Sequence, residues 1–364
     1  MRITLLGAGH IGQTIARLLS RSGDYQVTVV DRQADALAKL QGEAVQTRVV
    51  ETSDATALRA VLSGQQAVIN ALPYHLATLA ATAARDAGVH YFDLTEDIAA
   101  TRDIKALAAG ANTAFMPQCG LAPGFIGIVA HHLAKSFDSV REVKMRVGAL
   151  PAFPTNSLKY NLTWSVDGLI NEYCHPCEAI RGGKNIEVLA LEGLEHFSLD
   201  GTEYEAFNTS GGLGTLCETW AGQVQTLDYK SVRYPGHRDL MKMLLEELQL
   251  NQDTETLKDI MRKSIPTTMQ DVVLVFVTVS GQRDGNLVQE VFARKIFADR
   301  SEASPLSAIQ ITTAAGICAA VDLFREGKLP QKGFVRQEQV ELPAFLANRF
   351  GMAYQQSRQV ESIG

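Results

Sequence analysis

The feature that most constrains the fold is a glycine-rich turn that follows directly on the first apolar run of the chain. The turn reads Gly7-Ala8-Gly9-His10-Ile11-Gly12. Apolar residues then recur at helical spacing, so the pattern predicts a strand, a tight turn and a helix. In such a unit Gly7 allows the turn, Gly9 admits a pyrophosphate to the backbone, and Gly12 lets helix and strand pack closely. The six residues of the turn are therefore expected to bind a dinucleotide, with its phosphates at the positive end of the helix.

An acidic residue ends the next predicted strand. Residues 26–30 are rich in β-branched side chains and stop at Asp31, 19 residues after Gly12. A carboxylate there accepts hydrogen bonds from both ribose hydroxyls of the adenosine half and repels a 2′-phosphate. Asp31 therefore favours NAD over NADP, with a simple strand-end cap as the alternative. The neighbouring Arg32 has two interpretations, stacking on adenine or accommodating the extra phosphate of NADP.

Two further segments are expected at the cofactor. Asn70-Ala71-Leu72-Pro73 ends the fourth predicted strand at the carboxyl edge of the sheet, where a cofactor crevice opens. We expect Ala71, Leu72 and Pro73 to line the cofactor towards its nicotinamide. Asp54 begins the preceding helix, where contact with adenine and a helix N-cap are equally compatible with the sequence.

The order of predicted elements indicates two domains. Strands and helices alternate up to about residue 118, which predicts an α/β fold with a doubly wound parallel sheet, the Rossmann fold. From residue 140 long alternating strands predict a second α+β domain with a mixed, largely antiparallel sheet, and Asp284-Gly285 predicts a hairpin within it. We predict a dinucleotide-binding domain over 1–120, a substrate-binding and dimerisation domain over 121–304, and a C-terminal helical segment over 305–364 that packs back on the Rossmann domain.

Composition limits the classes of partner. The net charge is -6 and no long Lys/Arg run occurs, so nucleic acid is not an expected partner. The chain begins with a predicted strand and contains no unbroken apolar run of bilayer length, so we expect no membrane association and a cytoplasmic location. The five cysteines form no framework pattern. Neither Cys174 with Cys177 nor His131 with His132 has further ligands at metal spacing, so no metal is expected.

A set of motifs resembles one protein family. The first is Cys119-Gly120-Leu121-Ala122-Pro123-Gly124, and further matches lie at residues 158–165, 169–173, 180–184, 204–207 and 233–237. Together they resemble the saccharopine dehydrogenase and lysine 6-dehydrogenase superfamily over nearly the whole chain. Ala122 stands where saccharopine reductases usually carry an aspartate, so the resemblance points to the lysine 6-dehydrogenase branch. The glycine-rich stretch 208–214 departs from the family pattern, which leaves another amino-acid substrate open.

The resemblance implies an NAD-linked oxidation of a side-chain amine. For lysine, hydride leaves the carbon that bears the ε-amine, water releases ammonia, and the semialdehyde product cyclises. Two other functions remain open, namely a saccharopine-type enzyme that forms or cleaves a secondary amine, and a dinucleotide-binding protein without turnover. Amine oxidation requires a base that keeps the amine neutral and a cation that binds the substrate's α-carboxylate. The expected partners are therefore a small amino acid and a second copy of the chain, paired through exposed strand edges as a homodimer.

Acids and a tyrosine-histidine pair are candidates for the chemistry. Asp93 ends the fifth predicted strand at the cofactor edge of the sheet and is the first choice of base, with Glu96 and Asp97 in reserve. Capping of the next helix is the alternative role of these acids. Tyr74 and His75 follow Pro73, where either one reaches the nicotinamide end or relays a proton, or else lies in solvent.

Substrate contacts are expected in two segments. The resemblance assigns the first to the turn residues Gly120, Leu121 and Ala122. Arg233 and His237 flank a Pro-Gly bend that would hold a carboxylate-binding fork, with pairing of Arg233 to a nearby acid as the alternative. Trp164 either walls the methylene chain of the substrate or is buried in the second core.

Overall fold

The computed structural model describes residues 1–299 and 305–355. The chain divides into two compact units, the first made of Met1–Ile128 and Thr312–Ala353 and the second of Val129–Ile311 with Tyr354 and Gln355. The first unit contains a parallel sheet and the second a mixed sheet, so the predicted α/β fold class is confirmed. Residues 300–304 and 356–364, which end the predicted second domain and C-terminal segment, lie outside the described residues.

The described residues form the strands β1 (Arg2–Leu6), β2 (Gln26–Asp31), β3 (Val45–Val49), β4 (Ala67–Asn70), β5 (His90–Asp93), β6 (Ala114–Met116), β7 (Ser139–Pro151), β8 (Cys177–Arg181), β9 (Lys184–Val188), β10 (Glu195–Leu199), β11 (Thr202–Asn208), β12 (Val224–Arg233), β13 (Asp271–Arg283), β14 (Asn286–Phe297) and β15 (Gly333–Phe334). Their α-helices are α1 (His10–Arg21), α2 (Ala34–Ala38), α3 (Ala55–Leu62), α4 (Ala77–Ala87), α5 (Ile98–Ala108), α6 (Phe125–Ala134), α7 (Val166–Cys174), α8 (Leu216–Trp220), α9 (His237–Lys242), α10 (Thr254–Ser264), α11 (Ala308–Arg325) and α12 (Leu342–Ala347). Shorter 3₁₀ turns cover Tyr74–Leu76, Gln337–Gln339 and Gly351–Gln355, and a π-helical turn covers Met243–Glu247.

The first unit is built on a seven-stranded parallel sheet with the order β15-β6-β5-β4-β1-β2-β3. The apolar strand β1 is buried from its second residue onwards and pairs with β2 on one side and β4 on the other. The strand order reverses at β1, and open parallel sheets bind ligands beyond the carboxyl ends of the strands at such a point. The register places Val30, Leu6, Asn70 and Asp93 side by side at that edge.

The helix after the cofactor edge packs closely on the sheet because its inward face consists of alanine. Ala77, Ala80 and Ala84 of α4 are almost completely buried, together with Tyr91 of β5. The helix ends at Gly88, whose φ of 67° lies in the left-handed region that glycine adopts without a steric penalty. The backbone that enters α4 is therefore held next to the strand end that carries Asp93.

The second unit contains a sheet with the order β10-β11-β12-β7-β13-β14, to which the β8-β9 hairpin adds through β12. β7 pairs in parallel with β12 and antiparallel with β13, so the sheet is mixed, as predicted. The predicted β13-β14 hairpin is also present. Its two turn residues, Asp284 and Gly285, have φ angles of 52° and 76°, as a two-residue hairpin turn requires. Strands β8 to β11 were not predicted, and in β9 and β10 exposed polar and charged residues leave a weak apolar pattern.

Helix α11 is long and apolar enough, by length and composition, to cross a membrane, yet 83% of its apolar window is buried inside the protein. Its Asp322 carboxylate accepts hydrogen bonds from the Tyr25 hydroxyl at 2.5 Å, from Asn348 at 2.8 Å and from Arg349 at 2.8 Å. Burial alone would raise the pKa of Asp322, but these donors outweigh it and lower that pKa to about 2. The ionised carboxylate thus ties α11 to the start of β2 and to the segment after α12.

Free thiols account for all five cysteines. Within residues 1–299 and 305–355 no group of three His, Cys, Asp or Glu side chains has an arrangement that could hold a metal ion.

Candidate functional site

At two glycines of the turn, Gly7 and Gly12, backbone atoms leave no room for a side chain, whereas the space beside Gly9 is open. Gly7 has a φ of 99°, and an added Cβ there would lie 2.7 Å from the carbonyl oxygen of Ala71. An added Cβ on Gly12 would lie 2.0 Å from the carbonyl oxygen of Gly7. At Gly9 an added Cβ would meet nothing within 4 Å, and no side chain caps the first turn of α1. The turn therefore fits a pyrophosphate that approaches at Gly9 and meets the helix N-terminus.

Asp31 braces this turn. One carboxylate oxygen accepts a hydrogen bond from the Ala8 N–H at 2.7 Å, and the other accepts from the Gln33 N–H at 2.8 Å. The residue is only half-buried, and each oxygen retains a second lone pair for a ribose hydroxyl. The strand-end role and the ribose role are thus compatible. Arg32 beside it is exposed.

The other predicted cofactor residues occupy surface positions around the same edge. His10 is exposed and Ile11 half-buried in the first turn of α1, while Ala71 and Leu72 are half-buried and Pro73 is exposed beyond β4. Asp54 is the N-cap of α3, where its carboxylate accepts hydrogen bonds from the N–H groups of Thr56 at 2.7 Å and Ala57 at 3.2 Å. Its contact with adenine stays a prediction.

Asp93 is placed differently from what a solvent-accessible base requires. Its side chain is 0% exposed. One oxygen accepts hydrogen bonds from the N–H groups of Thr95 at 3.0 Å and Gln118 at 2.8 Å, and the other accepts from the Tyr91 hydroxyl at 2.8 Å. Burial raises the pKa of Asp93 to about 6 in spite of these donors. The geometry is that of a carboxylate that joins strand ends, and the base role of Asp93 stays a prediction that its burial disfavours.

Glu96 and Asp97, which follow β5, are both half-buried. Burial, followed by the nearby charges of Asp97 and Asp93, raises the pKa of Glu96 to about 7. Asp97 instead caps α5, since its carboxylate accepts a hydrogen bond from the Ala100 N–H at 2.7 Å. Glu96 thus combines a pKa near neutrality with a half-buried position, and its role as a base stays a prediction.

The tyrosine and histidine after Pro73 lie in a single 3₁₀ turn. Tyr74 is half-buried and His75 exposed, and their rings meet edge to face with centroids 5.8 Å apart. Both positions are accessible from the surface, as contact with the nicotinamide end would require.

The turn after β6 is compact. Gly124 has a φ of 134°, and an added Cβ there would lie 2.1 Å from the carbonyl oxygen of Gly120. Gly120 and Leu121 are buried, whereas Ala122 is half-buried. Of these three predicted substrate residues, only Ala122 presents a side chain with appreciable surface.

Arg233 and His237 of the second unit do not form the open carboxylate fork that the sequence suggested, because both are buried, at 3% and 0% exposure. The Arg233 guanidinium donates a hydrogen bond to the Tyr173 hydroxyl at 3.0 Å and lies over the Tyr160 ring, 5.3 Å from its centroid. The alternative of a nearby acid stays open, because the buried Glu172 carboxylate acts electrostatically on Arg233. The described side chains in direct contact with the guanidinium are tyrosines.

The same tyrosine connects Arg233 to His237. His237 Nε2 lies 3.1 Å from the Tyr173 hydroxyl, and its Nδ1 lies 2.9 Å from the carbonyl oxygen of Leu158. Because a carbonyl only accepts, Nδ1 carries the proton and Nε2 accepts from Tyr173. Burial, aided by the Arg233 charge, lowers the pKa of His237 to about 3, so the imidazole is neutral. Trp164 is half-buried against the core cluster that contains Tyr160 and Tyr173.

Tyr91 and Tyr173 are the residues that the sequence analysis missed. Tyr91 and Asp93 lie two residues apart in β5, so their side chains share a face of the sheet, and that spacing was a usable signal. Tyr173 is separated from Arg233 by 60 residues, and no local pattern connects them.

Comparison with known proteins assigns both units to one family. Residues 3–116 match the profile described as the saccharopine dehydrogenase NADP binding domain, and residues 120–349 match the saccharopine dehydrogenase C-terminal domain. The apo saccharopine dehydrogenase (L-Glu forming) from Saccharomyces cerevisiae has a similar fold, with a TM-score of 0.75 at 17% identity over 94% of this chain and 96% of that chain.

The relatives found by sequence are much longer than this chain. The mitochondrial alpha-aminoadipic semialdehyde synthase of Rattus norvegicus is 21% identical over 316 residues, which cover 83% of this chain and 34% of the rat protein. The Bos taurus protein of the same name is 21% identical over 326 residues, with 84% and 34% covered. This chain spans about a third of the length of these relatives. Because the two profiles cover most of its residues, the chain belongs to the saccharopine dehydrogenase family.

Proposed function

We propose that this protein is an NAD-dependent dehydrogenase that oxidises the side-chain amine of an amino acid, with L-lysine as substrate and 2-aminoadipate semialdehyde and ammonia as products. The observation that carries the proposal is the open dinucleotide turn at Gly9 together with a half-buried acid, Glu96, at the same edge of the sheet. A dinucleotide held by the glycine turn would supply, through its nicotinamide, the acceptor for the hydride from the carbon that carries the amine. Ala122, in place of the aspartate of saccharopine reductases, supports lysine over saccharopine.

Proton handling is assigned to Glu96. A protonated amine holds no free electron pair with which to expel hydride, so the substrate must lose a proton first. Glu96, with its pKa raised to about 7, is ionised above that pH and then accepts a proton. The rate of amine oxidation is therefore expected to rise as pH increases through about 7. Tyr74 and His75, in the neighbouring surface turn, are proposed to contact the substrate or to relay this proton to solvent.

The choice of NAD over NADP rests on Asp31. The family profile carries NADP in its description. In this chain, however, a carboxylate ends β2, and its position is held by the N–H groups of Ala8 and Gln33. A 2′-phosphate would approach that negative charge, whereas the two hydroxyls of NAD would donate to it. Exposed Arg32 offers only partial compensation.

An assay for NADH or NADPH formation tests the proposal, with lysine, ornithine and saccharopine each combined with NAD and with NADP. Formation of NADH from lysine alone is the expected result. Turnover of saccharopine but not of lysine would select the second candidate, a saccharopine-type enzyme, which the family membership favours. Dinucleotide binding without turnover of any amine would select a silent binding protein.

The remaining expectations are proposals about the setting of the enzyme. We propose that the second unit supplies the substrate contacts predicted within 121–304, that the protein is cytoplasmic, and that it binds neither nucleic acid nor membrane. We also propose a homodimer. β14 ends the sheet of the second unit and carries Leu287 and Val291, which are 70% and 52% exposed. A second copy placed on this strand would cover both apolar side chains.

A further inference from the structure

A continuous chain of buried hydrogen bonds crosses the ends of three neighbouring strands of the parallel sheet. The Asn70 amide, at the end of β4, donates to the Tyr91 hydroxyl of β5 at 3.2 Å. That hydroxyl donates to the Asp93 carboxylate at 2.8 Å, which also accepts from the Gln118 N–H after β6. Asn70, Tyr91 and Asp93 are 3%, 0% and 0% exposed, so water does not compete with these bonds.

This series of hydrogen bonds ends on the backbone that supports the glycine turn. The side-chain oxygen of Asn70 accepts a hydrogen bond from the Leu72 N–H at 3.2 Å. The carbonyl oxygen of Ala71, which precedes Leu72, lies 2.7 Å from the place that a Cβ added to Gly7 would occupy. The Ala71 N–H donates a hydrogen bond to the carbonyl oxygen of Leu6 at 2.8 Å. A shift of Asn70 would therefore move the surface against which Gly7 is packed.

Tyr91 has two alternative acceptors for its single hydroxyl proton. The carbonyl oxygen of Ala77 lies 3.2 Å from the hydroxyl, in addition to Asp93 at 2.8 Å. With Asp93 ionised, the hydroxyl donates to the carboxylate. With Asp93 protonated, the acid donates to the tyrosine oxygen, and the hydroxyl turns its proton to Ala77. Both arrangements satisfy every group, and they differ by one proton. The other titratable groups around Asp93 are Glu96, in the loop after β5, and the Cys119 thiol, after β6.

We propose that Tyr91 is a positioning residue for the dinucleotide: through Asn70 its hydroxyl holds the Ala71–Leu72 backbone against the glycine turn and so sets the affinity for the cofactor. The inference rests on dinucleotide binding alone and not on the identity of the amine substrate. A failure of lysine oxidation would leave it untouched.

Two substitutions in the whole 364-residue chain test this role, with NAD and NADP as the probes in calorimetric titrations. Tyr91→Phe removes the hydroxyl, and Asn70→Leu keeps a similar volume while it cuts the link to Leu72. Loss of one such bond at a binding surface corresponds to about tenfold in Kd. We expect both variants to raise the Kd of the better-bound dinucleotide by about tenfold. We also expect the wild-type Kd to change as pH crosses about 6, where Asp93 titrates, and this change to be reduced in both variants.

Tyr25→Phe is the matched control. Tyr25 belongs to the same unit, and its hydroxyl likewise donates to a buried aspartate, Asp322, at 2.5 Å. The control should lower the melting temperature without changing the Kd or its pH dependence. An unchanged Kd in Tyr91→Phe or in Asn70→Leu, or an equal rise in Kd in Tyr25→Phe, would overturn the proposal and leave Tyr91 with a purely structural role.

Discussion

A methyl group added at Gly12 and one added at Gly9 are expected to impair different properties of the protein. The Cβ of Gly12→Ala would lie 2.0 Å from the carbonyl oxygen of Gly7 and 2.9 Å from its carbonyl carbon, both within the backbone of the turn. Relief of such a clash requires a backbone shift that costs about 3 kcal/mol, whereas alanine returns only about 1 kcal/mol of helix propensity. The net loss of about 2 kcal/mol corresponds to a fall in Tm of roughly 4–8 °C in a unit of this size.

Gly9→Ala removes no stability by the same reasoning. Gly9 has φ and ψ angles of -68° and -175°, which alanine adopts freely, and its added Cβ meets nothing within 4 Å. We expect the melting temperature of this variant to stay within about 2 °C of wild type, while its Kd for NAD rises by at least about tenfold because the methyl occupies the approach of the pyrophosphate. Thermal unfolding and calorimetric titration of both variants measure the contrast. An equally stable Gly12→Ala, or a Gly9→Ala that binds NAD like wild type, would refute the reasoning.

Four further substitutions test other parts of the structure. Asp31→Ala should raise the Kd for NAD by about tenfold and that for NADP much less, and equal losses would contradict the ribose assignment. Glu96→Gln should abolish the rise in rate through pH 7, and a retained rise would exclude Glu96 as the base. The pKa of Asp322 is lowered to about 2 from an ordinary 3.8. Its ionised carboxylate therefore stabilises the fold fully above about pH 3.8, and this stabilisation is lost as the pH falls towards 2. The stability gap between wild type and Asp322→Asn, measured by urea unfolding, should therefore narrow in acid. Leu287→Asp should convert a dimer to a monomer in light scattering, and a monomeric wild type would contradict the dimer.

Most of the first unit up to residue 118 was predictable because its strands and helices have local signals, whereas α2, β15 and α12 were not predicted. The glycine turn, the β-branched run before Asp31 and the alternation of strands with helices all lie within short stretches of sequence. The β13-β14 hairpin was predictable for the same reason, since Asp284-Gly285 supplies two residues that tolerate positive φ. Strands such as β9 escaped prediction because an exposed strand at the side of a sheet needs no apolar alternation.

The substrate side was harder to predict because burial is a property of the folded unit. Arg233 and His237 flank a bend, and charged groups beside a bend usually lie at the surface. In the structure the rings of Tyr160 and Tyr173 enclose the guanidinium, and these rings come from segments about 60 to 70 residues earlier in the chain. A long-range enclosure of this kind leaves no mark on the sequence around Arg233 itself.

Asp93 and Glu96 lie only three residues apart and differ in how many hydrogen-bond donors of the protein their carboxylates contact. Burial raises the pKa of both side chains, to about 6 and about 7. Asp93 accepts hydrogen bonds from the two N–H groups of Thr95 and Gln118 and from one hydroxyl, so most of its acceptor capacity is already used inside the protein. Protonation of Asp93 reorients the Tyr91 hydroxyl, and the buried carboxyl group is not in contact with solvent. Glu96 is only half-buried, which supports its proposed role in proton exchange with the amine, while Asp93 joins the strand ends at the proposed cofactor edge.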